Sequence, residues 1–382
     1  MALLSISLFL MMAPAIATAL PLMYHAFKGV SQSGVETLST IPNIGIVVGL
    51  LISPFLVKIL GEKATIVTGL VLALIAGTFP MYASSYMPIL ISRFLLGFGI
   101  GLFNSLAVSL IPEFYSDNED ELATMIGFQN VMGTVGASLA AFMLSYLMTI
   151  SWHAAFAIYL LIIPALILFV LFVPLKKQAP QADGQEQAPK QHLNGKVIWI
   201  AVLMGLIFLF YMPMSYKIPE FVVSYKLGTA SQYSVLAGCL NLVSIPIGAS
   251  FGFFMKRLHD KIFPLGFGIV AVGFLAVAFS TSFVMLTISS VIMGIGFGLS
   301  VPYMYNWLDW AAPAGSVNLA TTVVLVLVNI GCFISPTVLG MMSSDPKMVL
   351  IISGIFFVIF TIYALGHYLN VHKKDVSAEK AE

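Results

Sequence analysis

The sequence predicts an all-α integral membrane protein with twelve transmembrane helices in two six-helix, pseudo-symmetric halves. Three observations lead to this fold class. Hydrophobic residues make up 59% of the 382 residues and charged residues only 9%, whereas soluble domains carry about 25% charged residues. Twelve windows are long and apolar enough to cross a bilayer, which takes about 20 residues in helical form. The two sets of six windows also share sequence features at a nearly constant spacing.

One polar stretch separates the two sets of windows. Residues 176–196 are rich in Gln, Pro, Ala and Lys and poor in large apolar side chains, which is typical of a solvated linker. The predicted organisation is therefore an N-terminal half at 1–175, a cytoplasmic linker at 176–196, a C-terminal half at 197–371 and a cytoplasmic tail at 372–382. The predicted spans are 3–27, 37–58, 64–84, 86–112, 122–149, 152–174, 197–225, 232–255, 263–282, 285–308, 318–342 and 347–370.

The distribution of Lys and Arg predicts the orientation. With the N-terminus inside, twelve of these residues fall in cytoplasmic segments and four at outer ends or loops. Cytoplasmic loops carry the excess of Lys and Arg in membrane proteins. We therefore expect both termini and the linker in the cytoplasm. The net charge of +1 argues against a nucleic-acid partner, which would require a concentrated basic face.

The halves repeat in sequence but differ at one charged position. Three alternate glycines at 97–101 return 197 positions later at 294–298, and the loop motif at 58–63 returns at 256–261. Arg93 stands four residues before the first glycine set, and Ser290 occupies the equivalent place in the second half. Small residues at spacings of four let helices pack closely. We therefore interpret the glycines as a shared scaffold and Arg93 as the asymmetric, working feature.

These motifs resemble the major facilitator superfamily over essentially the whole chain. The loop at 58–63 keeps the Gly61 and Lys63 of that family's loop motif but not its aspartate. Arg93 followed by spaced glycines matches the motif that this family carries in span 4. The glycines of span 5 (Gly127, Gly133 and Gly136) match an exporter pattern loosely, without its proline. The chain is similar to bacterial drug and metabolite exporters, which implies a bacterial cell membrane.

The resemblance implies a function as well as a fold. It implies two halves that rock about a midplane site lined mainly by spans 1, 4, 7 and 10, with protons as the usual energy source. The expected function is proton-coupled export of a small, amphiphilic organic compound. Two alternatives are proton-coupled uptake of a small organic anion, favoured by Arg93 and Lys217 facing one cavity, and a non-transporting membrane sensor or scaffold.

Enzymatic activity, cofactors and metals are not expected. The sequence has no metal-ligand cluster or nucleophile triad, and its Gly-x-Gly-x-Gly run lies inside an apolar helix without a preceding strand, unlike a nucleotide-binding loop. The expected partners are a small-molecule substrate, protons and the lipid bilayer, and the expected state is a monomer.

Arg93 is the first candidate for the site. An intramembrane charge is a functional candidate by default, because it is costly to bury. The alternative is that Arg93 only hydrogen-bonds backbone carbonyls of span 1 or span 2.

Span 7 supplies the next candidates. Lys217 and Glu220 lie three residues apart and hence on one helix face, next to Tyr216. They are interpreted as a coupled acid–base pair in which Glu220 titrates. The alternative is that both side chains extend to water at the helix end.

Several further polar residues complete the expected site. His25 and Glu36 flank the first outer loop; His25 is a candidate proton relay and Glu36 a candidate partner for Arg93, and the alternative for both is a solvated helix end. Asn104, Tyr303 and Asn306 are candidate cavity residues in spans 4 and 10. A gate on the cytoplasmic side is predicted from Glu113 and its acidic loop contacting Lys58 or Lys63. Gly61 and Asp309 are assigned to the same gating set.

Overall fold

The computed structural model describes residues 2–115, 119–173, 192–313 and 315–379, and all regular structure within these ranges is helical. The helices α1 to α12 correspond in order to the predicted spans. α1 consists of four short segments, Ala2–Ser5, Ile6–Phe9, Ala13–Ala19 and Leu20–Met23. The remaining bounds are α2 Gln32–Leu60, α3 Glu62–Thr78, α4 Tyr86–Tyr115, α5 Glu119–Leu147, α6 Ala154–Leu161 and Ile162–Phe172, α7 Gly195–Tyr211 and Pro213–Ser224, α8 Ala230–Leu258, α9 Ile262–Ala278, α10 Phe283–Ala311, α11 Val317–Met342 and α12 Pro346–Glu379.

The helices account for twelve membrane passages. Ten segments of the described residues are long and apolar enough to cross a bilayer. One of them, Ala230–Ala278, has 49 residues and contains both α8 and α9. α1 adds a passage in short pieces, which include the apolar stretch Ala13–Met23. These passages confirm the predicted fold class.

Two of the predicted domain boundaries differ from the structure. α12 continues to Glu379, so the residues predicted as a polar tail from 372 extend the last helix. α7 begins at Gly195, two residues before the predicted second half, because Asn194 caps the helix by accepting a hydrogen bond from the Val197 amide at 2.8 Å. Most of the predicted linker, residues 176–191, lies outside the described residues.

Equivalent turns connect α2 to α3 and α8 to α9. Gly61 has a φ of 84° and His259 a φ of 46°. Positive φ is rare for residues with a side chain, and glycine adopts it without steric cost. The two halves therefore share an unusual backbone conformation at the same place in the repeat, although only the first half fills it with glycine.

The glycines of α4 bring three helices into backbone contact. A Cβ atom on Gly97 would overlap the Pro42 carbonyl oxygen of α2, and one on Gly101 would overlap the carbonyl oxygen of Ile46. On the other face of α4, a Cβ on Gly99 would lie 2.6 Å from the Gly69 oxygen of α3. The prediction that these glycines serve packing is confirmed for α4. In α10 the equivalent of Gly97, Gly294, has open space around it.

The helix break in α7 results from a proline. Pro213 has no amide hydrogen, so the carbonyl group of Leu209, one turn earlier, lacks its helical donor. The Ser335 hydroxyl of α11 donates to this carbonyl at 2.6 Å and lies 2.9 Å from the Tyr216 hydroxyl. A neighbouring helix thus satisfies the freed oxygen, and the chain after the break carries Lys217 and Glu220.

The two halves are joined near one face of the molecule. We call the face at which α1 begins and α12 ends the terminal face and the opposite one the distal face. Hydrogen bonds between the halves lie in their distal portions: the Thr18 and Ser234 hydroxyls are 3.3 Å apart, Ser234 donates to the Ala141 carbonyl at 2.7 Å, and Thr40 donates to the Phe333 carbonyl at 3.3 Å. Towards the terminal face α2, α5 and α8 present the exposed side chains Phe55, Phe128 and Phe253.

Candidate functional site

Among the described residues, the densest buried cluster of charge lies where the distal portions of the halves meet. Lys217 of α7 donates to Glu36 Oε1 of α2 at 2.5 Å and to Glu220 Oε2 at 3.0 Å. The Tyr24 hydroxyl lies 3.3 Å from both Glu36 Oε1 and Glu220 Oε2. The Gln32 amide donates to Glu220 Oε1. We refer to Tyr24, Gln32, Glu36, Lys217 and Glu220 as the gate cluster.

The three charged side chains of the gate cluster are almost completely shielded from solvent, whereas Tyr24 and Gln32 are partly buried. The exposed fraction is 0% for Glu36, 1% for Lys217 and 7% for Glu220. The alternative that Lys217 and Glu220 extend to water at a helix end is therefore wrong, and so is the solvated helix end for Glu36. The reason is that the distal segment of α7 packs against α1, and its Lys217 and Glu220 side chains meet Glu36 and Gln32 of α2 at the interface between the halves.

Local structure explains how each side chain is placed. Lys217 and Glu220 share one face of the segment that follows the Pro213 break. Glu36 lies in the second turn of α2, whose first turn is capped by Ser31 accepting a hydrogen bond from the Gly34 amide at 3.2 Å. The N-terminal end of a helix carries partial positive charge, which favours a carboxylate near it.

The charges in the gate cluster are unequal. Two carboxyl groups face a single ammonium group, and the second oxygen of Glu36, Oε2, is buried without a hydrogen-bond partner among the described residues. An unpaired buried charge costs several kcal/mol in a low-dielectric environment, so such groups take up a proton or recruit a partner. This arrangement can accommodate a proton on one of its carboxyl groups.

A cavity of about 380 Å³ adjoins the gate cluster on its distal side. Glu220, Gln32 and Tyr24 form its polar floor, and the exposed His25 lies beside them. The remaining lining is mainly apolar: Pro21, Val30, Val35, Val223 and Ser224. The structure thus connects Glu220, but not the fully buried Glu36, with distal solvent.

Arg93 lies apart from the gate cluster and contacts three helices. Its exposed fraction is 0%. Its guanidinium donates to the Leu38 carbonyl of α2 at 2.9 Å, to the Ala13 carbonyl of α1 at 2.7 Å and to the Tyr159 hydroxyl of α6 at 2.6 Å. The predicted pairing of Arg93 with Glu36 is wrong, because Glu36 points to Lys217 of the other half.

The position of Arg93 follows from the packing of α4 on α2. Gly97 contacts Pro42, and one turn earlier on each helix Arg93 meets Leu38. Pro42 has no amide hydrogen, so the Leu38 carbonyl has no helical donor. The guanidinium supplies that donor. These contacts are those of the structural alternative, in which Arg93 bridges backbone carbonyls of spans 1 and 2.

The other predicted cavity residues do not gather at one point. Tyr216 is fully buried against Ser335, next to Lys217. Tyr303 lies near the terminal face, where its hydroxyl donates to Asp260 at 2.8 Å and its ring stacks on Phe263. Asn104 of α4 and Asn306 of α10 are partly buried.

The structure places the predicted gating residues at the terminal face. Lys63 donates to the Val170 and Val173 carbonyls at the end of α6, at 3.0 and 2.8 Å. The C-terminal end of a helix carries partial negative charge, which favours a lysine at this position. Lys58 and Asp309 are exposed, and Gly61 forms the turn described above. The Glu113 side chain and most of the acidic loop lie outside the described side chains.

Two members of the gate cluster, Tyr24 and Gln32, were missed at the sequence level. Tyr24 lies near the end of the predicted first span and Gln32 in the predicted loop that follows it, and polar residues are ordinary at both places. Their only signal was proximity in sequence to His25 and Glu36. Among the described residues no group of three or more His, Cys, Asp or Glu side chains could hold a metal ion.

Comparisons with known proteins agree with this architecture. The family model described as the Major Facilitator Superfamily matches residues 2–336 and 218–382. An uncharacterized transporter from Rickettsia felis is 22% identical over 318 residues, which cover 76% of this chain and 77% of that protein.

Solved transporters share the fold at low sequence identity. The xylose transporter XylE from E. coli, in an inward-open conformation, has a TM-score of 0.74 and 17% identity, with 95% of this chain and 94% of that one covered. A variant of the nucleoside transporter NupG has a TM-score of 0.79 and 13% identity, with 96% and 98% covered. The chain belongs to the major facilitator superfamily and is a multi-pass membrane transporter.

Proposed function

We propose that this transporter is a proton-coupled exporter of a small, amphiphilic organic compound and works by alternating access. The observation that carries the proposal is the gate cluster, in which one buried lysine joins two carboxyl groups from opposite halves. A cluster with this composition and place can link protonation to separation of the halves.

The linkage follows from the partners of Lys217. To open the distal face, the halves must part, and the contact between Lys217 of α7 and Glu36 of α2 must break. Protonation of Glu36 removes the charge that Lys217 pairs with in the first half, while Glu220 stays with Lys217 in the second half. Separation then no longer leaves a buried, unpaired carboxylate. A proton on Glu36 therefore favours distal opening.

The partners of the buried Lys217 and Arg93 also indicate which class of compound is transported. An organic anion would require a free cation, but two carboxyl groups already surround Lys217, and Arg93 is held by two carbonyls and a hydroxyl. A neutral or cationic amphiphile does not compete with these contacts. This favours a neutral or cationic amphiphile over an organic anion as the substrate.

The proposed orientation places both termini in the cytoplasm of a bacterial cell, with the transporter working as a monomer in the cytoplasmic membrane. The distal face is then the outer face, and the structure has its outer side closed by the gate cluster. Impermeant maleimide labelling in intact cells tests this, in a background with the native Cys239 and Cys332 replaced by serine and alanine. Of single cysteines introduced at exposed Lys58 and exposed Lys28, only the one at 28 should react.

Transport in proteoliposomes with an imposed pH gradient tests the function. The panel contains labelled lipophilic amines, neutral amphiphiles and small organic acids. We expect amines or neutral amphiphiles to move towards the acidic side, against the proton flow, and movement to stop in Glu36→Gln. The matched control is Asp345→Asn, which changes an exposed acid on the distal side. Movement of organic acids with the protons would contradict export, and movement of no compound would contradict a transport function.

A further inference from the structure

We propose that the distal cavity is the entry site for protons and that the Tyr24 hydroxyl relays them from Glu220 to Glu36. This inference rests on the proton coupling proposed above and specifies its route. It also assigns different roles to the two acids, with Glu220 as the acceptor from solvent and Glu36 as the acid that controls the gate.

The first step of the argument concerns access. Glu220 lines the distal cavity, whereas Glu36 does not and has no exposed surface. A proton from distal water therefore meets Glu220 first. Gln32 holds Oε1 of Glu220 at the cavity, and Oε2 points inwards to Lys217 and Tyr24. The inward oxygen is the one from which transfer to the gate can proceed.

The second step concerns the position of Tyr24. Its hydroxyl oxygen lies 3.3 Å from Glu220 Oε2 and 3.3 Å from Glu36 Oε1, midway between acids of opposite halves. A hydroxyl has a single proton and two lone pairs, so it can donate to one acid while it accepts from the other. Both distances exceed the usual length of a strong O–H···O bond, and a small movement of the ring tightens either contact.

The transfer is balanced in atoms and charge. The Oε2–H bond of protonated Glu220 breaks as its proton forms a bond with Tyr24 Oη. The original Oη–H bond of Tyr24 breaks as that proton passes to Glu36 Oε1. One proton has moved from α7 to α2, and rotation of the Tyr24 hydroxyl restores the starting arrangement. No other reactant takes part.

The surroundings leave few other groups that could exchange protons with Glu36. His25 and Gln32 stand on the cavity side, and Lys217 contacts both acids. Tyr216 of α7 is engaged by Ser335 of α11, next to the buried Cys332 of the same helix. The Tyr233 hydroxyl of α8 donates to the Met214 carbonyl. Lys217 is the competing route, since it also bridges the acids, and the test must separate it from Tyr24.

Infrared difference spectroscopy after an acid jump tests the relay without any substrate. The full chain is placed in lipid nanodiscs, and Glu36→Gln and Glu220→Gln assign the two carboxyl bands. In the wild type we expect Glu220 to be protonated before Glu36. In Tyr24→Phe, which keeps the ring, the Glu220 band should keep its amplitude and rate, and protonation of Glu36 should slow at least tenfold. Tyr82→Phe, an exposed tyrosine on the distal side, is the matched control.

The outcomes separate the relay from the proton coupling. If neither Glu band changes after the jump in the wild type, the cluster does not titrate and the proposed coupling fails together with the relay. If both bands change and Tyr24→Phe leaves the rate of Glu36 unaltered, only the relay is overturned and Lys217 carries the proton. Protonation of Glu36 before Glu220 in the wild type would overturn the assignment of the distal cavity as entry site.

Discussion

Individual charged residues in this membrane protein differ in how many of their polar atoms have a hydrogen-bond or charged partner. Arg93 has three strong acceptors from α1, α2 and α6 and no charged partner among the described residues. The gate cluster instead contains two acids for one lysine and an unsatisfied carboxyl oxygen. A charged group whose hydrogen-bonding atoms all have partners gains no stability by moving. A cluster with an excess of carboxyl groups and an unpaired oxygen can instead be stabilised by taking up a proton. This contrast is why we place function in the gate cluster and structure in Arg93.

Substituting Arg93 tests its structural role. Arg93→Lys keeps the charge, but a single ammonium group cannot reach three acceptors on separate helices as the planar guanidinium does. At least one buried acceptor then loses a charged donor, which costs about 2 kcal/mol. We expect a lower thermal unfolding midpoint in detergent, and Lys28→Arg, at an exposed site, should leave it unchanged. An unaltered midpoint for Arg93→Lys would contradict the structural role.

The balance of charge in the gate cluster predicts a rescue. Lys217→Met leaves Glu36 and Glu220 buried without their shared cation, and breaking a buried pair in this way costs about 3 kcal/mol. The triple variant with Glu36→Gln and Glu220→Gln removes the uncompensated charges, so its unfolding midpoint should return towards the wild-type value while pH-driven transport remains absent. A triple variant as unstable as Lys217→Met would show that the loss came from packing.

At the scale of helices, the two halves use the same glycine motif differently. In the first half Gly97 seats α4 directly on α2 and aligns Arg93 with the carbonyl freed by Pro42. In the second half Gly294 faces open space, and α10 has Ser290 where α4 has Arg93. The first half is therefore bound together at this crossing by backbone contact and a guanidinium, and the second is not.

Matched alanine substitutions test this difference. Gly97→Ala places a methyl group onto the Pro42 carbonyl oxygen and forces α4 away from α2, which costs about 1–3 kcal/mol. Gly294→Ala meets no atom within 4 Å, and alanine favours a helix over glycine by about 1 kcal/mol. We expect the unfolding midpoint to fall for Gly97→Ala and to stay equal or rise for Gly294→Ala. Equal losses in both variants would contradict the asymmetry.

Helices and their order could be predicted from the sequence because lipid imposes one solution on long apolar windows. All twelve spans were located within a few residues, except that α1 is broken into short pieces and α12 is longer. The gate cluster could be predicted only in part. Helical spacing predicts that Lys217 and Glu220 share a helix face. The partner of Glu36 was predicted wrongly as Arg93, because the sequence does not reveal which residue of the second half faces Glu36. Tyr24 and Gln32 lacked any pattern and became visible only through their contacts.

For the whole molecule, the contacts between the halves determine which face can open. The polar contacts that join them, from Thr18 and Ser234 to Glu36 and Lys217, lie in the distal portions of the helices. The terminal-side ends of α2, α5 and α8 carry exposed aromatic side chains. We infer that the structure is the state closed at the distal face. Alternating access then requires that the distal contacts break in each cycle.

A disulfide across the halves tests this requirement. The Thr18 and Ser234 hydroxyl oxygens are 3.3 Å apart, so cysteine sulfurs at these positions need only a small shift to reach the bonding distance of about 2 Å. In a background with Cys239 and Cys332 replaced by serine and alanine, Thr18→Cys with Ser234→Cys should cross-link under oxidation. Transport should then stop and recover after reduction, because a covalent bond at this contact prevents distal opening. Each single cysteine variant is the control and should transport equally with and without oxidant. Full transport by the cross-linked protein would show that the halves do not separate here, and it would contradict a cycle in which the gate cluster opens.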